Sequence, residues 1–242
     1  MPTVRTSLHC LARTWCINAA LSTRGMQEMG LLYVLEPGLC ELYPDAAARA
    51  AAFARYAEHT NTHPFLLPLY AGILLSLEEQ IASGMMPPML LDSVKKAAPS
   101  TLSAIGDALF SGSLLPLWAL GSIALVLAHL PLWALGISLA LLCALTLFRV
   151  FSFFAGLRQS MRALQWLRAL NVIDWVERIK LLNAVLLAAV LCQLVPVPLV
   201  EWQHYTVGLA VLTGAAWCIG RRYLRRIWLI GIALLFVILY NQ

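Results

Sequence analysis

Charged side chains are scarce in this chain. They make up 12% of its 242 residues, against 61% that are apolar. Soluble domains carry about 25% charge. The balance excludes an ordinary soluble domain and indicates a polytopic membrane protein. Paired cysteines are also missing. Cys10, Cys16, Cys40, Cys143, Cys192 and Cys218 include no Cys-x-x-Cys pair. They read as small buried hydrophobes, not as a disulfide framework or a zinc site. A secretory signal is missing too: the opening MPTVRTSLHCLARTWC holds Arg5 and Arg13 and no clean apolar stretch.

What charge there is lies unevenly. Residues 1–112 hold seven Lys/Arg against nine Asp/Glu, and residues 113–242 hold ten against three. The chain divides there into an N-terminal region, 1–112, and a transmembrane region, 113–242. The basic excess reports membrane orientation and not nucleic-acid binding.

Long apolar runs fill the second region. Residues 114–148 are too many for one crossing of a core about 30 Å thick, and Pro131 divides them. Runs at 181–200, 202–220 and 227–240 follow. Lys95 and Lys96 precede the first run, and Arg149, Arg158, Arg162, Arg168, Arg178 and Lys180 follow it. Basic flanks on both sides predict a hairpin with cytoplasmic ends. Residues 196–205 carry Glu201 and no base, so they are expected outside; RRYLRR at 221–226 returns inside. About five crossings result, with a cytoplasmic N-terminus. Residues 150–180 alternate bases with Leu157, Met161, Leu164, Trp166 and Leu167, as an in-plane cytoplasmic helix or a partner surface would.

The N-terminal region reads differently. Leu8, Leu11, Trp15 and Ala19 recur at helical spacing opposite Arg5 and Arg13. That predicts a helix lying on the membrane or packed against a neighbour. Residues 44–60 form an alanine-rich helix with Asp45 near its start. GMMPP at 84–88 is a break.

The stretch NTHPFLLPLYAGILLSLEEQ, 61–80, sets polar groups at both ends of an apolar run. One reading is a helix that begins at Pro64 and re-enters water at Glu78, Glu79 and Gln80. The other is functional, because carboxylates beside apolar membrane segments mark sites. His63 and Glu78 lie about 22 Å apart on a straight helix, so a shared site requires a bend at Pro68 or Gly72. A zinc site from Glu58, His59 and His63 lacks a further ligand at suitable spacing. A hydrolase built on Ser111 or Ser113 with His129 or His204 competes with close helix packing by small residues.

Three stretches in order carry a resemblance: INAALSTRGMQEMGLLYVLEPGL, NTHPFLLPLYAGILLSLEEQIASG and SVKKAAPSTLSAIGDALFSGSLLPL. With Gly-Met-Gln at 25–27, Asn-Thr-His-Pro-Phe at 61–65, Leu-Glu-Glu-Gln at 77–80 and Gly-Asp at 106–107, the chain resembles the IID component of the mannose/fructose/sorbose family of bacterial sugar phosphotransferase systems. The resemblance covers about residues 10–190.

It implies an all-α fold with re-entrant or in-plane helices in the N-terminal half and about five crossings in the C-terminal half. It implies a multi-pass inner-membrane subunit paired with a IIC subunit in an oligomeric complex that carries a hexose inward. IIA and IIB phosphoryl carriers then phosphorylate the sugar, so the subunit needs no cofactor, metal or catalytic residue of its own. The residues it implies at the sugar are Asn61, His63, Glu78, Glu79 and Asp107. Gly106 would allow a turn that presents Asp107, although Asp107 could instead cap a helix starting near Ala108. The chain departs from the family where Thr23-Arg24-Gly25 precedes Met-Gln, and where Leu115-Pro116 replaces the usual Arg-Pro. These departures open an alternative: a derived membrane protein that keeps the fold, has lost transport and serves a regulatory or structural role.

Overall fold

The computed structural model describes residues 2–169 and 171–194, with Gly214 beyond them. Nearly all belong to one compact unit, Met1–Val190. Among the described residues the fold is all-α. Helices α1 (Val4–Arg13), α2 (Glu28–Leu42), α3 (Ala46–Ala54), α4 (Leu67–Ala82) and α5 (Met89–Gly106) come first. Helices α6 (Leu115–Leu127), α7 (Pro131–Gln159), α8 (Arg162–Ala169) and α9 (Val172–Leu194) follow.

Helix α4 is the core. Every side chain from Leu67 to Glu78 is buried. A helix apolar all round must be enclosed by others, and α2, α5 and α7 pack on it. The expected start at Pro64 is displaced: residues 64–66 form a turn, and Pro68 takes the place in the first helical turn. The chain does not bend at Gly72, so residues 61–80 are no re-entrant hairpin. Gly72 serves packing instead. A Cβ there would strike the Phe153 carbonyl and lie 2.8 Å from the Leu157 nitrogen. Opposite it on α7, a Cβ on Gly156 would strike the Leu69 carbonyl and lie 2.9 Å from the Ile73 nitrogen. Two glycines face each other, and the helix backbones touch there.

The break at Pro131 is as expected. Helix α6 ends at Leu127, His129 takes a left-handed φ of +61°, and Pro131 opens α7. Two helical runs, Met89–Leu127 and Pro131–Gln159, are long and apolar enough to cross a membrane. Their outer faces, including Leu132, Trp133, Leu139 and Leu142, are exposed, which suits lipid contact. The first run joins α5, a π-helical segment at Asp107–Leu114 and α6 without interruption. The division at 112/113 falls inside it. The expected crossings at 202–220 and 227–240 lie outside the described residues.

Two expectations are corrected, and one open alternative is resolved. Residues 150–180 are not one in-plane helix. The chain turns at Ser160 (φ +51°) and Asn171 (φ +47°), splitting the stretch among α7, α8 and α9. Of the two readings of the N-terminal helix, the one packed against a neighbour holds. Its buried side is Ser7, Cys10 and Leu11, while Leu8 and Trp15 of the predicted apolar stripe face outward. Of the cysteines, Cys10 is buried, with a pKa raised to about 11 by desolvation, but Cys16, Cys40 and Cys143 are exposed.

The glycine contact yields a prediction. Gly72→Ala or Gly156→Ala should each destabilise the chain by about 1–3 kcal/mol, the cost of overpacking, because each new methyl meets backbone. Thermal unfolding in detergent reads this out. Unchanged midpoints in both variants would show that α4 and α7 separate freely.

Candidate functional site

Two motif stretches form one clamp. Met26 adopts φ +55° and bridges to both Ser22 and Thr60. The Gln27 amide donates to the Thr60 carbonyl at 2.9 Å, and the Thr60 amide donates to the Gly25 carbonyl at 3.3 Å. The buried Gln27 side chain completes the clamp. Its Oε1 accepts from the Thr62 amide at 2.8 Å, and its Nε2 donates to Asn18 Oδ1 at 3.2 Å. Gly-Met-Gln thus holds Asn-Thr-His-Pro in place, and the backbone polar groups of a buried loop are satisfied by it.

The clamp delivers His63 to a buried position against Gly106. A Cβ on Gly106 would overlap the His63 Cβ and Cγ. Gly106 is ordinary right-handed helix, with φ −63° and ψ −45°. It makes no turn, and Asp107 caps no new helix. The glycine provides room for the imidazole. His63 stacks on Phe110 with centroids 5.2 Å apart and on Phe65 at 5.7 Å. Its Nδ1 accepts from the Phe65 amide at 3.3 Å, which leaves Nε2 to donate to Ser111 Oγ at 3.2 Å. That assignment follows from the hydrogen bonds. In it His63 gives a proton bond to Ser111 and has no vacant nitrogen with which to take the serine proton. A hydrolase pair is therefore not formed, and Ser111 has His63 as its neighbour instead of His129.

The π-helical segment gives this place its polarity. Ser113 Oγ donates five residues back, to the Ala108 carbonyl at 2.8 Å. The Ser113 carbonyl accepts from Asn183 Nδ2 of α9 at 2.9 Å. A wide turn of this kind frees backbone groups and is common at functional sites. The Asn183 Oδ1 is buried and has no partner among the described residues. Asp107, first residue of the segment, is exposed and receives a hydrogen bond from Ser103 Oγ at 3.5 Å. Asn61 is exposed beside the clamp.

The structure therefore gathers Asn61, His63 and Asp107 at one end of α4. Glu78 and Glu79 lie toward the other end, Glu78 about 17 Å along the helix axis from Leu67. Glu78 is 0% exposed and accepts four side-chain hydrogen bonds. Arg55 donates twice, from Nε at 3.1 Å and Nη2 at 2.5 Å, and Tyr43 and Tyr56 hydroxyls donate at 2.7 Å each. Burial works against the Arg55 charge, but the Glu78 hydrogen bond and charge outweigh it, so its pKa is raised. Desolvation and the Glu78 charge push Tyr56 well above its ordinary value. The carboxylate is saturated by protein. Glu79, half-buried, is the next residue along.

Sequence reasoning passed over Phe65, Phe110 and Asn183 and misjudged the partner of Ser111. Asn183 had a readable signal: an amide inside the apolar run 181–200. The aromatic stack had none, because Phe65 and Phe110 are 45 residues apart in sequence.

Residues 3–206 match the PTS system mannose/fructose/sorbose family IID component. The chain belongs to that family and is a membrane-embedded IID component. It is 33% identical over 96 residues to the PTS system mannose-specific EIID component of Escherichia coli (strain K12), covering 39% of this chain and 34% of that protein. Against the fructose permease IID component of Bacillus subtilis (strain 168) it is 30% identical over 95 residues, covering 39% and 34%. The match thus spans about a third of the length of these curated relatives. Two solved structures share the fold. One, described as a membrane protein, superposes with a TM-score of 0.74 at 20% identity, over 99% of this chain and 97% of that one. The other is the mannose transporter ManYZ in complex with microcin E492, with a TM-score of 0.58 at 18% identity, over 100% and 97%.

The site yields two predictions. Glu78→Gln should destabilise the chain by about 3 kcal/mol, since it leaves Arg55 without its buried counter-charge. Tyr56→Phe should cost about 2 kcal/mol, one hydrogen bond to a charged group. Denaturant unfolding measures both, and the two losses should be less than additive in the double variant.

The second prediction concerns acid. Burial lowers the His63 pKa, and the Asp107 charge opposes that in part. The folded chain thus favours the neutral ring. The stability this contributes is complete above the unfolded value of about 6.5 and is lost as pH falls through the lower folded value. His63→Gln should flatten the loss of thermal stability on acidification between about 6.5 and the lower folded value. An unaltered acid limb would place the titrating group elsewhere.

Proposed function

We propose that the chain is the inner-membrane subunit which, paired with a IIC-type subunit, carries a hexose inward for phosphorylation by IIA and IIB. It performs no catalysis itself. The basic segments around 149–180, apart from the buried Arg149, and 221–226 face the cytoplasm, as does the N-terminus, and 196–205 faces outward.

The supporting observation is convergence. Gly-Met-Gln, Asn-Thr-His-Pro and Gly-Asp, far apart in sequence, meet where His63 packs on Gly106. The exposed carboxylate of Asp107 and the amide of Asn61 border that point. A carboxylate suits sugar hydroxyls because each oxygen accepts charge-assisted hydrogen bonds. In this reading Asn61 and Asp107 touch the sugar, and His63 positions the loop. Glu79 serves the far end of α4, and Glu78 anchors the helix through Arg55. One feature favours the second reading, a derived subunit without transport: Leu115-Pro116 stands where the resemblance implies Arg-Pro.

The test is uptake of labelled mannose and fructose per assembled complex, in cells supplying IIA, IIB and IIC. Asp107→Asn should lower uptake at least tenfold, about 1.4 kcal/mol of lost stabilisation, with assembly unchanged. Glu79→Gln scores the other end separately. Wild-type assembly without any uptake would select the derived reading. Full uptake by Asp107→Asn would remove Asp107 from the sugar path.

A further inference from the structure

Arg149 was expected among the cytoplasmic flanking bases. It lies instead inside the fold, on α7 and only 6% exposed. Its Nη2 donates to Thr14 Oγ1 at 3.1 Å, and its Nε is buried without an acceptor among the described residues. The guanidinium carbon sits 4.3 Å over the Trp15 ring and 5.8 Å from the Phe65 ring. No carboxylate among the described residues lies within ion-pair distance of it. Other bases among the described residues are different. Arg13 has Glu36 at 2.5 Å, Arg55 has Glu78 at 2.5 Å, and Lys95 has Glu58 at 3.1 Å.

A guanidinium offers five N–H donors. Stacking on Trp15 offsets part of the cost of burying its charge, but an unpaired charge stays expensive away from water. Folds accept that cost where a counter-charge arrives from elsewhere. The cover over Arg149 suggests from where. Trp15 is itself 49% exposed, and Leu8 on the same stretch is 49% exposed. Leu21, six residues further along the chain than Trp15, is 55% exposed. A buried cation thus lies directly beneath exposed apolar side chains that nothing among the described residues covers.

We propose that this face docks the membrane partner subunit, and that Arg149 receives a carboxylate carried on an otherwise apolar helix of that partner. The inference rests on the pairing reading above and adds its contact point. The incoming acid meets the guanidinium beside Trp15, while its flanking apolar residues cover Trp15, Leu8 and Leu21. Charge complementarity makes the contact specific, because an apolar helix without the acid leaves Arg149 unpaired.

The experiment compares Arg149→Met in two settings: heat-induced aggregation of the full chain in detergent extract without partner, and co-purification with the host's tagged IIC-type subunit. The expected result is opposite movement. The chain alone keeps or raises its aggregation temperature, since an unpaired buried charge has gone. The co-purified fraction falls at least tenfold. Arg149→Lys retains part of it. Neutralising one particular Asp or Glu of the IIC-type subunit restores assembly with Arg149→Met. Equal weakening of the chain alone would overturn the proposal by making Arg149 a purely internal support. Unchanged co-purification of Arg149→Met would overturn it while leaving pairing intact. Failure of the unmodified chain to co-purify would overturn pairing and the proposal together. Glu201→Gln reproducing the effect would give the counter-charge to this chain, and assembly dependent on anionic lipid would give it to a phosphate; either outcome also overturns the proposal.

Discussion

The Glu78 carboxylate is shut away from water, and the arrangement of the N-terminal half follows from how its charge is met. Arg55 closes α3, Tyr56 follows it, and Tyr43 closes α2. All three are drawn to the last turn of α4 because a buried carboxylate requires several donors. Lys95 of α5 then binds the Arg55 carbonyl and pairs with Glu58 and Asp92. Three helices, α2, α3 and α5, are therefore gathered at one end of α4 by polar demand. Apolar contact alone would leave their register loose, since Leu against Leu tolerates sliding.

At the other end of α4 the constraint is closeness. Helices in lipid gain little from hydrophobic exclusion, and association depends on fit. Gly72 against Gly156 brings two backbones together, and Gly106 lets α5 pass the His63 ring. The clamp from Gly25 to Gln27 sets that ring in position. Saturated carboxylate at one end and paired glycines toward the other make α4 a rigid strut. The polar groups around His63 are held by it, and the π-helical segment turns Ser111 toward them and offers the Ser113 carbonyl to Asn183.

Much of this was legible. The shortage of charge gave the membrane class, Pro131 gave the break between α6 and α7, and Asp45 capped α3 through the Ala48 amide. The family stretches marked residues that meet in space. Their roles were less legible. Glu78 and Glu79 are identical in type and adjacent, and nothing local says that one is sealed by Arg55 while the other sits half-buried. Gly72 and Gly106 each read as points of bending. Both are helical, because a glycine that frees the chain and a glycine that admits a neighbour look alike until the neighbour is known. Arg149 read as a flank because a base after an apolar run commonly meets water. Its burial depends on Thr14 and Trp15, 135 and 134 residues away.

The sequence by itself determined what short-range physics controls: helical periodicity, caps, proline breaks and the preference of most of this surface for lipid. Those properties act within a few turns and survive whatever the rest of the chain does. The tertiary structure decided which polar groups are satisfied and which are left wanting. It closed Glu78 with three residues from other elements, and among the described residues it left Arg149 without a counter-charge and the side-chain oxygen of Asn183 without a hydrogen-bond partner. Hydrogen bonds and ion pairs act only over a few ångströms, so their completion depends on long-range contacts that local pattern does not encode.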